Sequence, residues 1–257
     1  MILDICIYIL IIFLVYFTIQ YIIYSKNKIE KFIPNNEDNK PVYIFWTGGF
    51  DSTFRLCELL IIDKREVVPI YVRYKYLDNS IYDNYRRKSN KNEMKAMENI
   101  KRNIFAKFSY TKKLLKDTIF IDKIEIDNDI KIKMRNIWKR KLNYRPVSQC
   151  GGLAQVVRDV GKEVEISVEN SPHSKMRKMV IPFIGYTNNQ YRIVKYDPDI
   201  NIFKNMIFPT IHLTKENMVK ISKEKGFFDI LNLTWSCWFP KNDKACGKCS
   251  MCRSRII

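Results

Sequence analysis

"YIFWTGGFDSTFRL", residues 43–56, is the stretch on which the reading of this chain turns. An apolar run from Val42 to Trp46 leads into Thr47-Gly48-Gly49, and a helix-like pattern begins immediately after. Two of the chain's eight glycines stand at this one junction. A strand that turns into a helix through Gly-Gly leaves backbone N–H groups aimed at one point, where the helix N-terminus adds positive potential. Both favour an anion. Thr47, Ser52 and Thr53 add hydroxyls, and Asp51 adds a carboxylate able to hold Mg²⁺ between phosphate oxygens. The pattern is neither the Walker loop nor G-x-G-x-x-G. Taken alone it also fits a plain strand–helix turn.

Around this junction the pattern alternates between strand and helix. "PVYIFWT" (41–47), "EVVPIYVRYK" (66–75), "DTIFIDKIEI" (117–126) and "KEVEISV" (162–168) read as strands. Helical patterns cover 51–62, 82–108, 129–144, 146–161 and 214–226. In the second, Met94, Met97, Ile100 and Ile104 fall on one face, and the fourth is interrupted at Gly151-Gly152. Thr214 suits an N-cap and Gly226 a stop. "YRIVKY" (191–196) reads as a strand and "DPDINIFKN" as a loop. This rhythm predicts an α/β domain, a doubly wound, mostly parallel sheet over residues 41–257.

Four of the seven cysteines fall in the last 21 residues, as Cys237, Cys246, Cys249 and Cys252. The C-x8-C-x2-C-x2-C spacing lets thiolates wrap one metal ion, so a four-cysteine zinc site is expected over about 235–255. An iron–sulfur cluster is the competing reading. An odd cysteine count gathered at one end argues against a disulfide framework and for a reducing compartment.

The N-terminal residues have a different composition. "ICIYILIIFLVYFTIQYIIY" (5–24) holds no charge, and only Thr18 and Gln20 break its apolar run. Twenty residues at helical rise span a bilayer's hydrocarbon core. Asp4 near the start and no small-residue cleavage site argue against a signal peptide. Lys26, Lys28 and Lys31 follow, so the positive-inside bias places the C-terminal domain in the cytoplasm behind a single-pass anchor over 1–24. "SKNKIEKFIPNNEDNK" (25–40) reads as a linker reaching about 20–24 Å if flexible. Basic side chains exceed acidic ones by 18, all of it after residue 40. That excess suits anionic partners, and equally a Lys- and Asn-rich coding bias. The basic run from Lys131 to Lys141, with Trp138 and Tyr144 interleaved, reads as a solvated face or as a nucleic-acid contact.

Thr47-Gly48-Gly49-Phe50-Asp51-Ser52 resembles the pyrophosphatase loop of the PP-loop ATP enzymes, usually Ser-Gly-Gly-x-Asp-Ser, with Thr47 keeping the first hydroxyl. Together with "TWSC…CGKCSMCRSR" it resembles the 7-cyano-7-deazaguanine synthase family, whose C-terminal cysteines hold zinc. "TKENMVKISKEKGFFDI" looks like the family's segment before the cysteines, with Lys215 as the matching lysine. The clear matches cover 42–60 and about 209–255. The resemblance implies ATP bound by Thr47 through Thr53, catalytic roles for Asp51, Ser52 and Lys215, and Mg²⁺ and Zn²⁺ as metals. The implied reaction adenylates the carboxylate of 7-carboxy-7-deazaguanine, takes ammonia, and after a second activation yields the nitrile.

The middle of the chain departs from the family. "YRPVSQCGGLAQ" lacks the family's Gly-Arg-Asn, and "ENSPHSKM" stands where the family carries an Asp and Tyr-Pro-Asp. Glu169, Asn170 and His173 are the candidates to replace them. Two alternatives follow: a PP-loop enzyme that adenylates a nucleic-acid base, and a non-catalytic, membrane-tethered nucleotide-binding module. The oligomeric state is left open.

Overall fold

The structure is a computed structural model that describes residues 40–73, 88–141 and 148–255. The expected anchor over 5–24 and all but the last residue of the linker lie outside the described residues. Among the described residues, no helix is long and apolar enough to cross a membrane. Pro41–Ile257 forms one compact unit.

Its sheet runs β3-β2-β1-β4-β7-β6-β5. The strands are β1 (Val42–Phe45), β2 (Val67–Val72), β3 (Ile119–Ile121), β4 (Val164–Glu165), β5 (Ile184–Thr187), β6 (Gln190–Ile193) and β7 (Met206–Ile207). β3, β2, β1, β4 and β7 are parallel, and β5 and β6 are antiparallel. Alternation along the central strands sends side chains to two separate cores. Ile44, Trp46, Val67 and Tyr71 pack on one face against α1 (Phe50–Cys57), α2 (Asn90–Lys107) and a π-helical turn at Glu58–Ile62. Phe45, Ile70, Val72, Val164 and Ile166 pack on the other against α4 (Asn128–Lys141) and α5 (Ser148–Val160). The sheet is thus covered on both faces, as the strand–helix rhythm predicts. A four-residue helix, α3 (Thr111–Leu114), leads into β3.

Several boundaries differ from expectation. Only Ile119–Ile121 of the predicted third strand pairs, because β3 is an edge strand whose Ile119 and Phe120 face solvent. The fourth strand pairs over Val164–Glu165 and then leaves the sheet, a departure with functional consequences. The second helix begins at Asn90, and its inward face is Glu93, Ala96, Met97, Ile100 and Ile104, while Met94 turns outward. Gly151-Gly152 does not interrupt α5. A Cβ on Gly151 would stand 3.3 Å from Met134 Cγ, so the glycine lets α4 and α5 pack closely. The β5–β6 hairpin turns through Asn188 and Asn189, both left-handed, the geometry of a type I′ turn. α6 (Lys175–Val180) precedes it. α7 (Lys215–Glu224), α8 (Phe228–Leu231) and α9 (Ser250–Arg253) close the chain. The expected cap is present: Thr214 and Asn217 form a reciprocal capping box at the start of α7.

Candidate active site

β1 and β4 are neighbours, and the connections leaving them run in opposite directions across the sheet. Open α/β sheets bind ligands at such a switch point, outside the carboxyl ends of the strands. A cavity of about 280 Å³ lies there. Its floor is Phe45, Ile70, Val72, Leu153 and Ile166, and its rim carries Thr47, Asp51, Ser52, Glu169, Lys215 and Arg255.

The turn from β1 into α1 is shaped by Gly48. Its φ is +67°, and a Cβ there would lie 3.0 Å from Met97 Cγ and 3.1 Å from the Glu93 carbonyl oxygen. No other residue meets both the conformation and the space. Glu93 is buried yet partnered, accepting from the Tyr71 hydroxyl at 2.9 Å and the Ser89 hydroxyl at 2.6 Å. Gly49, in extended backbone, is the N-cap of α1 and offers no capping side chain. The first-turn N–H groups of Phe50, Asp51 and Ser52 have no acceptor within the helix. All three residues line the cavity.

The predicted loop residues divide into two sets. Thr47, Gly49, Phe50, Asp51 and Ser52 line the cavity, whereas Gly48 and Thr53 do not. Thr53 is fully buried and its hydroxyl accepts the Trp46 indole N–H at 3.1 Å. Its backbone N–H donates to the Gly49 carbonyl at 3.0 Å. Thr53 therefore holds the loop from beneath and presents no donor to a phosphate. The Ser52 hydroxyl donates to the Gly49 carbonyl at 3.3 Å and accepts the Thr47 N–H at 3.4 Å, bracing the turn.

Asp51 is the electrostatic centre of the site. Its Oδ1 is buried without a hydrogen-bond partner. Burial, and secondarily the charge of Glu169, push its carboxyl up to about 7, against the opposing pull of Lys215. A buried carboxylate with an unpartnered oxygen is a hard donor whose chemistry fits Mg²⁺. Lys215, the first residue of α7, reaches Glu169 Oε2 at 3.5 Å and donates to the Ser254 carbonyl at 3.1 Å. Of the three candidates in the divergent segment, only Glu169 reaches the cavity. His173 is exposed. Asn170 reaches the His212 carbonyl at 3.5 Å. The signal that would have singled out Glu169 is its period: 165, 167 and 169 alternate with the core positions 164, 166 and 168.

The remaining wall comes from the cysteine segment. The four thiol sulfurs of Cys237, Cys246, Cys249 and Cys252 lie within 4.8 Å of one another. The Cys249–Cys252 and Cys246–Cys252 sulfur distances are 3.4 Å and 3.9 Å. Zn–S bonds of about 2.3 Å in a tetrahedron require an edge of about 3.8 Å. The set fits one zinc ion and is too tight for a multi-iron cluster. Gly247, with φ +72°, turns the chain so that the N–H groups of Lys248 and Cys249 point at Cys246, holding its thiol down at about 6. A readily formed thiolate is what zinc needs. The same segment places Trp235, Ser236, Trp238, Met251, Ser254 and Arg255 on the cavity. It is pinned to the glycine loop by Trp235 N–H donating to the Gly48 carbonyl at 2.9 Å.

Comparison with known proteins agrees with this arrangement. The family model described as "Queuosine biosynthesis protein QueC" matches residues 40–256. The chain belongs to this family. The cavity, glycine loop and four-cysteine cluster of this QueC-family chain all fall inside the matched span. A stretch of 48 residues is 46% identical to the 7-cyano-7-deazaguanine synthase of Campylobacter hominis. That match covers 19% of this QueC-family chain and 20% of the relative, about a fifth of the relative's length. Among the described residues, Cys57 and Cys150 stay outside the site: Cys57 is buried in the core, and burial pushes the Cys150 thiol up to about 11.

Proposed function

We propose that this chain is an ATP-dependent carbon–nitrogen ligase that adenylates the carboxylate of 7-carboxy-7-deazaguanine and, with ammonia, forms 7-cyano-7-deazaguanine. One observation carries the reading: the glycine loop with its unpartnered Asp51, Lys215 and the wall built by the cysteine segment all open on one cavity. The relative's name supplies the product, 7-cyano-7-deazaguanine, and the carboxylate substrate is the one the family resemblance implies.

Carboxylate oxygen is a poor leaving group, and AMP is a good one. Attack of the substrate carboxylate on the α-phosphorus forms an acyl adenylate and releases pyrophosphate. Ammonia then displaces AMP to give the amide. A second ATP adenylates the amide oxygen, and loss of AMP with two protons leaves the nitrile. The chain's part is positioning and charge. The N–H groups of Phe50, Asp51 and Ser52 receive the departing pyrophosphate, and Lys215 adds a mobile positive charge. Mg²⁺, when bound at Asp51, neutralises phosphate charge. The apolar floor from Phe45 to Ile166 and the flanking Trp235 and Trp238 suit a flat heterocycle. The four cysteines would hold zinc, and the metal would supply rigidity to the cavity wall and no step of the reaction.

On α4, Lys133 pairs with Asp129 and Arg140 with Asp197 and Asp199, while Lys131, Arg135 and Lys139 stay exposed, so the nucleic-acid reading remains the alternative. We further propose that residues 1–24 retain the chain in a membrane with residues 41–257 on the cytoplasmic side. The uncharged, largely apolar run and the lysines after it support this. Membrane fractionation with tagged termini tests it, and release of the full chain by salt alone would overturn it.

The activity test incubates the full-length chain with ATP, Mg²⁺, ammonia and 7-carboxy-7-deazaguanine, following AMP and nitrile by mass spectrometry. The expected result is nitrile from the wild type and a loss of about 100-fold or more in Asp51→Ala. Failure of AMP and nitrile to form, with ATP still bound, would favour the non-catalytic binding module.

A further inference from the structure

Glu165, Ser167 and Glu169 alternate along one face of β4 and its extension, opposite the core residues Val164, Ile166 and Val168. They face α1. At the lower level the facing charges are opposite: Arg55 donates to Glu165 through Nε at 2.7 Å and Nη2 at 3.0 Å. One helical turn towards the cavity, about 6 Å, brings α1 from Arg55 to Asp51. Two strand residues, about 6.6 Å, bring the opposing chain from Glu165 to Ser167, with Glu169 the next side chain on that face. At the upper level, therefore, two carboxylates, Asp51 and Glu169, and the Ser167 hydroxyl line one cavity. Asp51 Oδ1 and Ser167 Oγ are both buried there without a hydrogen-bond partner. Lys215, entering from α7, is the cation that meets Glu169, at 3.5 Å.

We propose that Glu169 is the second carboxylate of a divalent-cation site with Asp51, and that Lys215 occupies its charge until the metal arrives. The inference rests on the nucleotide-activating reading of the cavity. Three features support it together. Like charges lining one cavity are costly unless a proton or a cation neutralises one of them. Two buried oxygens of cavity-lining residues, Asp51 Oδ1 and Ser167 Oγ, lack partners. Carboxylate and hydroxyl oxygens are also the hard donors that Mg²⁺ and Mn²⁺ prefer. Metal binding at Glu169 releases the Lys215 ammonium towards the nucleotide, so the metal and the lysine charge are delivered in one exchange.

The test uses Mn²⁺ alone as the probe, with the full-length, zinc-loaded chain in mild detergent. Loss of the free Mn²⁺ signal in electron paramagnetic resonance measures binding without turnover. Glu169→Gln should weaken Mn²⁺ binding about tenfold or more. Glu169→Asp, which keeps the charge, should retain part of it, separating a lost ligand from a damaged fold. Lys215→Met should tighten Mn²⁺ binding, because the competing cation is gone. Equal Mn²⁺ affinity in wild type and Glu169→Gln, or no Mn²⁺ binding by the wild type, would overturn the inference. Binding of α,β-methylene-ATP, followed in parallel by tryptophan fluorescence, speaks to the function itself. Glu169-dependent Mn²⁺ binding without nucleotide binding would overturn the proposed function and leave the metal site standing.

Discussion

Gly48 combines a left-handed backbone with close neighbours, the nearest being α2 at Met97 and Glu93. Gly48→Ala should cost about 1–2 kcal/mol from backbone conformation alone, with overlap added, and should lower nucleotide affinity because the turn must open. Denaturant unfolding and nucleotide titration measure the two effects. Asp51 predicts a pH dependence. Its folded carboxyl titrates at about 7, above the ordinary value of 3.8, so the folded state holds the proton more tightly than the unfolded one. Its contribution to stability is then fully present below about 4 and is lost as pH rises to about 7. In metal-free, nucleotide-free protein, the wild-type melting midpoint should fall through this window relative to Asp51→Asn. A constant difference between the two across pH 4–7 would refute the assignment. The carboxylate and the glycines were legible in the sequence as a loop. That Thr53 faces inward to Trp46 while Asp51 faces the cavity was not, because four consecutive residues entering a helix point in four directions.

α1 carries the loop at one end and is tied to β4 at the other by Arg55 and Glu165, both largely shielded from water. Arg55 also reaches Glu58 at 3.4 Å and Asp63 at 3.5 Å, gathering the π-helical turn into the same cluster. Removing one partner leaves a shielded charge uncompensated. Arg55→Met should cost about 3–5 kcal/mol. The double replacement Arg55→Met with Glu165→Leu should cost clearly less, and a double-mutant cycle in denaturant reads the difference. Additive losses would mean that the pair does not couple α1 to β4. At this scale the sequence was a good guide to helices and a poor one to strand ends. The capping box at Thr214 announced α7 through local chemistry. β4 gave no local sign of where it leaves the sheet, because ladder pairing with β7 ends at Glu165 for reasons that lie in β7.

At the scale of the molecule, the cysteine cluster joins the far end of the chain to its first loop. Trp235 bonds to Gly48, and Ser254 receives Lys215. Zinc removal should therefore affect more than its own knuckle. A chelator is expected to lower the melting midpoint by about 10 °C or more and to weaken nucleotide binding at temperatures where the sheet remains folded. Loss of zinc with nucleotide affinity unchanged would show the two ends to be independent.

Features whose physics is short-ranged could be read from the chain without its fold. The strand–glycine–helix junction, the alternation that fills two cores, the Cys-x2-Cys-x2-Cys spacing and the Thr214 cap each depend on residues within a few positions of one another. Which of these features meet was settled by the folded arrangement. A switch point is a property of strand order, which is set by long-range pairing, and it brings residues 51, 169, 215 and 255 around one cavity. Glu169 shows the division most clearly. On the chain it is one acidic residue after a strand, and it becomes part of a site because the extension of β4 carries it past Asp51, where two carboxylates and two unpartnered oxygens leave room for a cation.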